Sequence, residues 1–254
     1  MKKNNLTSFF RAIFKQGPTG RILLYHRVAD VKDDPHLLSV SVRNFKDQIT
    51  WLKKNFQILS LLQLVNQIKS HTLDSKSVCV TFDDGYADNF YNALPILKQF
   101  HIPATIFVTS GMIGKKIPFY WDTNMNKNDQ GRALNKIELI KLAKEPLIKI
   151  GSHTITHPHL TALSVMDQEK EIAESKIKLE NIIKKTIKGF SYPFGTKKDY
   201  SKETVSTVKK TGYKYACANF CHSVVESSDP YVLPRIIVRN WPIKIFIKKM
   251  RKLL

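Results

Sequence analysis

Short apolar runs and amphipathic stretches alternate along this chain. Ile22–Tyr25, Ser77–Phe82, Ala104–Val108, Ile148–Gly151, Gly189–Phe194 and Tyr215–Cys217 are the apolar runs. Runs this short, rich in β-branched and aromatic residues, predict buried strands. Between them the apolar positions recur at helical spacing. Phe45, Ile49 and Leu52 mark a helix over Val42–Phe56, and Leu61–Ile68 a second. A third follows Gly85, with Phe90, Leu94 and Leu97 on one face; a fourth covers Lys136–Lys144. Ser164–Lys185 is a long amphipathic helix that Ser164 caps, with Asp167, at the third helical position, as its partner, and Ser201–Gly212 closes on a glycine. This β–α rhythm predicts a parallel sheet. Over such a length it predicts an α/β barrel, complete or distorted, with an open doubly wound sheet as the alternative.

The rhythm breaks in a few places. The polar segment from His26 to Ser39, with Asp33, Asp34 and Pro35, reads as a loop, and Phe119–Leu134 as an insertion loop. At the N-terminus Leu6, Phe9, Phe10, Ile13 and Phe14 share one helical face, which suits an interfacial or a docked helix. The other end, Ile243–Leu254, is a basic amphipathic tail. The division expected is therefore an amphipathic segment 1–20, one domain over 21–242 with its motif-bearing core in 77–242, and a tail 243–254. No apolar run is long enough to span a bilayer, and Arg11 and Lys15 interrupt the first twenty residues where a signal peptide would be apolar. A cytoplasmic protein is expected, with peripheral contact to the inner face of the membrane through the tail.

The 254 residues are 43% hydrophobic and 24% charged, which suits a globular chain and excludes a disordered one. The net charge of +20 favours polyanions, anionic lipid or a phosphate-bearing substrate. No zinc-finger spacing, aromatic RNA-binding pattern or heptad repeat accompanies it, so nucleic acid is not the expected partner. Cys79, Cys217 and Cys221 are too few for a disulfide framework and read as free thiols.

Two clusters carry chemistry. Asp83 and Asp84 end a predicted strand just before Gly85. Adjacent carboxylates repel unless a cation or a shared proton lies between them, although a helix cap is the simpler use of an aspartate there. His153 and His157 follow another strand, and their spacing of four would place both rings on one side of a helical turn. His159 is nearby, but Pro158 turns the chain away from that spacing. Two histidines and a carboxylate make a facial site for Zn²⁺, Co²⁺, Ni²⁺ or Fe²⁺, and a second carboxylate beside it can take a proton from water.

Thr81-Phe82-Asp83-Asp84-Gly85 and His153-Thr154-Ile155-Thr156-His157 resemble the first two motifs of the polysaccharide deacetylase family, carbohydrate esterases with a NodB-homology domain. Tyr192-Pro193-Phe194-Gly195 is similar to part of the third. Tyr25-His26-Arg27-Val28, His101-Ile102-Pro103-Ala104-Thr105 and Leu233-Pro234-Arg235-Ile236 resemble a bacterial branch associated with glycan biosynthesis. The resemblance implies a distorted (β/α) barrel with permuted strand order, and removal of the N-acetyl group from a sugar or glycan, lipid-linked substrates included. It implies Asp83 as base, Asp84, His153 and His157 as ligands of a divalent metal, Zn²⁺ first, and the Phe194 N–H as an oxyanion donor. The chain departs from the family pattern twice. Ser191 stands where the third motif has an arginine, and Arg235 is the candidate substitute; no histidine follows His222, and His26 is the candidate acid. Trp121 and Asp122 are candidates to line a sugar site, whereas Cys217, Cys221 and His222 read as structural. Hydrolysis of another acyl amide, such as formyl, and an inactive glycan-binding protein are the competing readings.

Overall fold

The structure, a computed structural model, describes residues 17–252. The apolar face read over Leu6–Phe14 lies outside the described residues. In chain order the elements are β1 (Arg21–Tyr25), β2 (Arg27–Val28), β3 (Ser39–Val40), α1 (Val42–Asn55), β4 (Gln57–Ile58), α2 (Leu61–Lys69), β5 (Ser77–Phe82), α3 (Leu94–Phe100), β6 (Ala104–Val108), α4 (Lys136–Lys144), β7 (Ile148–Ser152), α5 (Val165–Ile183), β8 (Gly189–Ser191), α6 (Lys202–Lys210), β9 (Tyr215–Cys217), β10 (Ile236–Ile237) and α7 (Ile243–Lys252).

Eight strands form one parallel sheet in the order β10-β1-β5-β6-β7-β8-β9, with β4 beside the start of β5. The sheet curls until its edges meet. Leu233 bridges Cys217 of β9, its N–H donating to Ala216 and its carbonyl accepting from Ala218. Three residues on, Ile236 pairs with Leu23 of β1. One short segment thus joins both edges, giving a distorted barrel; an open doubly wound sheet, with two separated edges, is not what forms. Only Ile236 and Ile237 of this segment are regular strand, because Pro234 has no N–H to give a ladder.

Strand alternation divides the apolar side chains into two cores. Leu23, Val78, Val80, Ile106, Val108 and Ala216 face the surrounding helices. Their neighbours Ile22, Cys79, Phe107 and Cys217 form a second cluster with Leu61, Leu64, Val65 and Ile68 of α2, which fill the barrel from its amino-terminal end. Glycine makes room for the rings there. A Cβ on Gly151 would fall 2.3 Å from the Phe107 ring, and one on Gly189 2.4 Å from Tyr215.

The helix expected after Gly85 opens as a π turn, Asn89–Ala93, before α3. Pro95 explains it, since its missing N–H cannot make the ordinary helical bond back to Tyr91. At the other end of the chain α7 lays Phe246 and Met250 into the core, with Phe246 edge-on to Trp51 of α1, and leaves Lys244, Lys248 and Lys249 exposed. Among the described residues no helix is long and apolar enough to cross a membrane.

Candidate active site

The carboxyl ends of the strands converge on one cleft of about 410 Å³. His26 follows β1, Asp83 and Asp84 follow β5, His153 follows β7, and Phe194 lies in the turn after β8. Asp84 sits in the left-handed region at φ 72°, which aspartate tolerates better than most residues. Its backbone is held by Thr109, whose N–H donates to the Asp84 carbonyl.

Asp84, His153 and His157 form the group that fits a metal: one ligand atom from each lies within 4.8 Å of the others, and all three residues are buried. The Nε2 atoms of both histidines stand 3.6 Å from Asp84 Oδ1. The His153 ring has a fixed tautomer. Its Nδ1 lies 2.8 Å from the Ser191 carbonyl, which only accepts, so Nδ1 carries the proton and Nε2 keeps its lone pair. Burial and the neighbouring Asp83 push the Asp84 carboxyl well above its usual range. Burial lowers both histidines, that of His157 strongly, with His153 adding to it. A carboxyl whose ionised form is disfavoured, close to two imidazoles whose charged forms are disfavoured as well, makes a donor set that a divalent ion would stabilise.

His153–His157 is not the helical turn its spacing predicts. Thr154 and His157 both have positive φ, 64° and 62°. The loop is shaped from α5. Glu171 accepts from the N–H groups of Ile155 and Thr156 and from the Thr156 hydroxyl, and the Ser175 hydroxyl donates to the Thr154 carbonyl. The rings still meet, with centroids 4.8 Å apart, but through loop geometry. His159 stays outside the metal group; its Nδ1 bonds Asp199 at 2.7 Å, and its ring stacks on Phe194 at 3.8 Å.

Asp83 is gripped by an arginine, with its Oδ2 also 3.7 Å from His153 Nε2. Arg235 is fully buried in the barrel interior, its guanidinium 5.6 Å from the Phe107 ring centre. It grips Asp83 in bidentate fashion, Nη1 to Oδ1 at 2.8 Å and Nη2 to Oδ2 at 2.6 Å. Ser191, at the position where an arginine was missing, donates to Asp83 Oδ2 and accepts from Arg235. Burial alone would raise Asp83, but Arg235 and His153 outweigh it and hold the carboxyl far below its ordinary value. Thus adjacent aspartates are driven in opposite directions, which separates a charged acceptor from a cation-seeking ligand.

Phe194 also has positive φ, 58°, and its N–H makes no hydrogen bond to the described residues. Its carbonyl accepts from Asn219 Nδ2 at 2.7 Å. Asn219 Oδ1 in turn accepts from Arg235 Nε and Nη2, and its own N–H donates to Gly195. One side chain therefore ties the Phe194 turn to the arginine that holds Asp83. The sequence reading missed it; the signal was only its place two residues after a strand. Asn219→Ala is expected to lower turnover roughly ten- to hundredfold, as loss of supporting partners does at other sites, with metal content unchanged by elemental analysis. Unchanged turnover would remove the residue from this role.

The walls come from elsewhere. His26 faces the cleft; its Nδ1 has no hydrogen-bond partner among the described residues, and Asn89 donates to its carbonyl at 2.9 Å. Burial lowers its pKa to about 4, Asp83 opposing. Trp121 lines the cleft 4.6 Å from the His157 ring and donates to the Tyr86 hydroxyl. Asp122 does not line it: it is buried and accepts from Tyr86 at 2.7 Å. Cys217 is buried inside the barrel, Cys221 and His222 lie at the surface, and all three cysteines are free.

The sequence matches a family model described as polysaccharide deacetylase over residues 70–216. Bacillus subtilis YxkH, named for a polysaccharide deacetylase, is 30% identical over 219 residues, 85% of this chain and 70% of that protein. A Staphylococcus aureus poly-beta-1,6-N-acetyl-D-glucosamine N-deacetylase is 29% identical over 220 residues, 83% of this chain and 71% of its own. In fold the chain is similar to the Streptococcus pyogenes deacetylase PplD, solved in complex with acetate, with a TM-score of 0.76, 22% identity, and 91% and 98% of the two chains covered. IcaB from Ammonifex degensii superposes with a TM-score of 0.72 at 21% identity, covering 88% and 93%.

Proposed function

This chain belongs to the polysaccharide deacetylase family, and on that premise we propose that it hydrolyses the N-acetyl group of an N-acetylated glycan. The observation that carries the reading is the division between Asp83, locked to Arg235, and Asp84, grouped with His153 and His157. Asp84, His153 and His157 would hold a divalent ion, Zn²⁺ before Co²⁺, Ni²⁺ or Fe²⁺, which would supply positive charge to acidify water and polarise the acetamide carbonyl.

The chain's own groups do the rest. Asp83 takes a proton from the attacking water. Arg235 and Ser191 keep its oxygens in place while it does so. The free Phe194 N–H donates to the carbonyl oxygen as negative charge develops there. The C–N bond then breaks, and His26 gives its proton to the departing amine nitrogen. Burial lowers the His26 pKa to about 4, so the proton it delivers is taken up during the catalytic cycle and not carried at rest near neutral pH. The products are acetate and the free amino sugar. The exposed, unpaired Cys221 fits a reducing compartment, and a cytoplasmic site is part of the reading.

Purified, metal-loaded protein should release acetate from N-acetylglucosamine oligomers. A chelator should stop release, and added Zn²⁺ or Co²⁺ should restore it. Release of formate from an N-formyl sugar in place of acetate would redirect the reading to another acyl amide. Oligomer binding without release of either would make the protein a glycan-binding one.

A further inference from the structure

Arg239 lines the same cleft as His26 and Asp83. It is half-buried, and one nitrogen anchors it: Nη1 donates to the carbonyls of His36 at 3.1 Å and Leu37 at 2.6 Å. Nε and Nη2 make no hydrogen bond to the described residues, and among those residues no carboxylate lies within 4.0 Å of the guanidinium. The acid with most influence on it is Asp34, whose two oxygens are taken by the N–H groups of Leu38 and Ser39 at 2.9 Å each. The two carboxylates of the cleft are committed as well, Asp83 to Arg235 and Asp84 to the histidines. Burial accordingly pushes the Arg239 pKa down, with Asp34 offsetting only part.

A guanidinium half withdrawn from water, with two of its nitrogens unbonded and no opposite charge within 4.0 Å among the described residues, gains when an anion pairs with it. Two free nitrogens of a planar fork match a carboxylate or a phosphate. The net charge of +20 adds a field of the same sign. The cleft volume of about 410 Å³ accommodates a sugar with such a substituent.

We infer that Arg239 anchors a subsite for an anionic substituent, so that the preferred substrate is an N-acetylated sugar bearing a phosphate or carboxylate near the acetamide. The placement of the acetamide rests on the deacetylase reading; the anion subsite does not. Neutral glycans lack the partner that this residue needs.

The test is calorimetric binding of three sugars: N-acetylglucosamine, its 1-phosphate, and N-acetylmuramic acid, which carries a carboxylate. Wild type, Arg239→Gln and Arg239→Lys are compared, each with and without chelator, so that phosphate held by a metal is separated from phosphate held by arginine. At least one anionic sugar should bind roughly ten- to hundredfold tighter than the neutral one. The preference should persist with chelator, fall close to parity in Arg239→Gln, and survive in part in Arg239→Lys. Which anion is favoured identifies its source. Equal binding of neutral and anionic sugars by the wild type overturns the subsite, as does a loss in Arg239→Gln that is the same for all three. Acetate release from the same sugars is read separately. Release without anion preference refutes the subsite alone, whereas anion preference without release of acetate refutes the deacetylase reading and leaves the subsite standing.

Discussion

Asp84→Asn, His153→Ala and His157→Ala should each leave the purified protein without its divalent ion and reduce acetate release to background. Supporting partners of metal ligands are worth roughly ten- to hundredfold in affinity, and removal of a ligand itself should exceed that. Asp83→Asn should behave differently. It should keep the ion, because the Asp83 oxygens are bonded to Arg235 and Ser191 and reach only His153, at 3.7 Å, whereas Asp84 meets both histidines. Its turnover should nevertheless fall by roughly a hundred- to ten-thousandfold, the usual worth of a general base. It should also melt earlier than Asp84→Asn. Asparagine leaves the fully buried Arg235 without an opposite charge, and breaking a buried ion pair from one side costs about 3–5 kcal/mol. Removing charge at Asp84 does the reverse, since burial and Asp83 already oppose ionisation there. Elemental mass spectrometry, acetate release and thermal melts on the four proteins read all three effects. Equal loss of metal in Asp83→Asn and Asp84→Asn would end the division of labour between the two aspartates.

The pH dependence of Asp83 has the same origin. Its folded pKa lies far below the value of an unfolded aspartate, so its contribution to stability is full above the unfolded pKa and is lost as pH falls through the folded one. Acid should therefore weaken the wild type more than Asp83→Asn.

Much of this fold was legible because its strands are buried on both sides and so read as unbroken apolar runs. Ser77–Phe82 and Ala104–Val108 are fully buried in the structure and match their predicted limits. The Asp83-Asp84 pair and the two histidines were legible because strand ends in a parallel barrel meet on one rim. The local form of the histidine loop was not. A spacing of four fits a helical turn, and what replaces the turn is Glu171 and Ser175 on α5, whose hydrogen bonds to the loop no local pattern announces. Trp121 and Asp122 show the same limit. Adjacent in sequence, they lie on a 3₁₀ turn that sends one to the cleft and the other to a buried bond with Tyr86. Arg235 was found through its neighbours Leu233 and Pro234, whereas Asn219 and Arg239 lay in segments with no pattern of their own. Their places follow only from closure of the barrel, which brings Leu233–Ile237 between β9 and β1.

His26 is the residue on which the departure of the amine depends. An amine leaves poorly unless its nitrogen is protonated as the C–N bond breaks, so some group at the cleft must supply that proton. The Nε2 atoms of His153 and His157 lie 3.6 Å from Asp84 Oδ1, in the ligand group. Asp83 is pinned by Arg235 and receives the proton of water. His159 is bonded to Asp199 and stacked on Phe194 outside the ligand group. His36 also lines the cleft, but its Nε2 is bonded to the Trp121 carbonyl at 3.2 Å, and a carbonyl accepts only from a protonated nitrogen. His26 remains: it faces the cleft, its Nδ1 has no hydrogen-bond partner among the described residues, and Asp83, Arg235 and His153 all act on its charge. His26→Gln should retain the metal and bind substrate nearly as well as the wild type, yet turn over roughly a hundred- to ten-thousandfold more slowly. The limb of the pH–rate profile on which the wild type loses activity as its imidazolium deprotonates, displaced towards acid by the lowered His26 pKa, should disappear with it. A substrate with a better leaving group, such as an acetate ester of a phenol, needs no proton and should be hydrolysed by His26→Gln at close to the wild-type rate. If amide and ester fall together, or if the amide is cleaved normally across the pH range, the proton comes from another group.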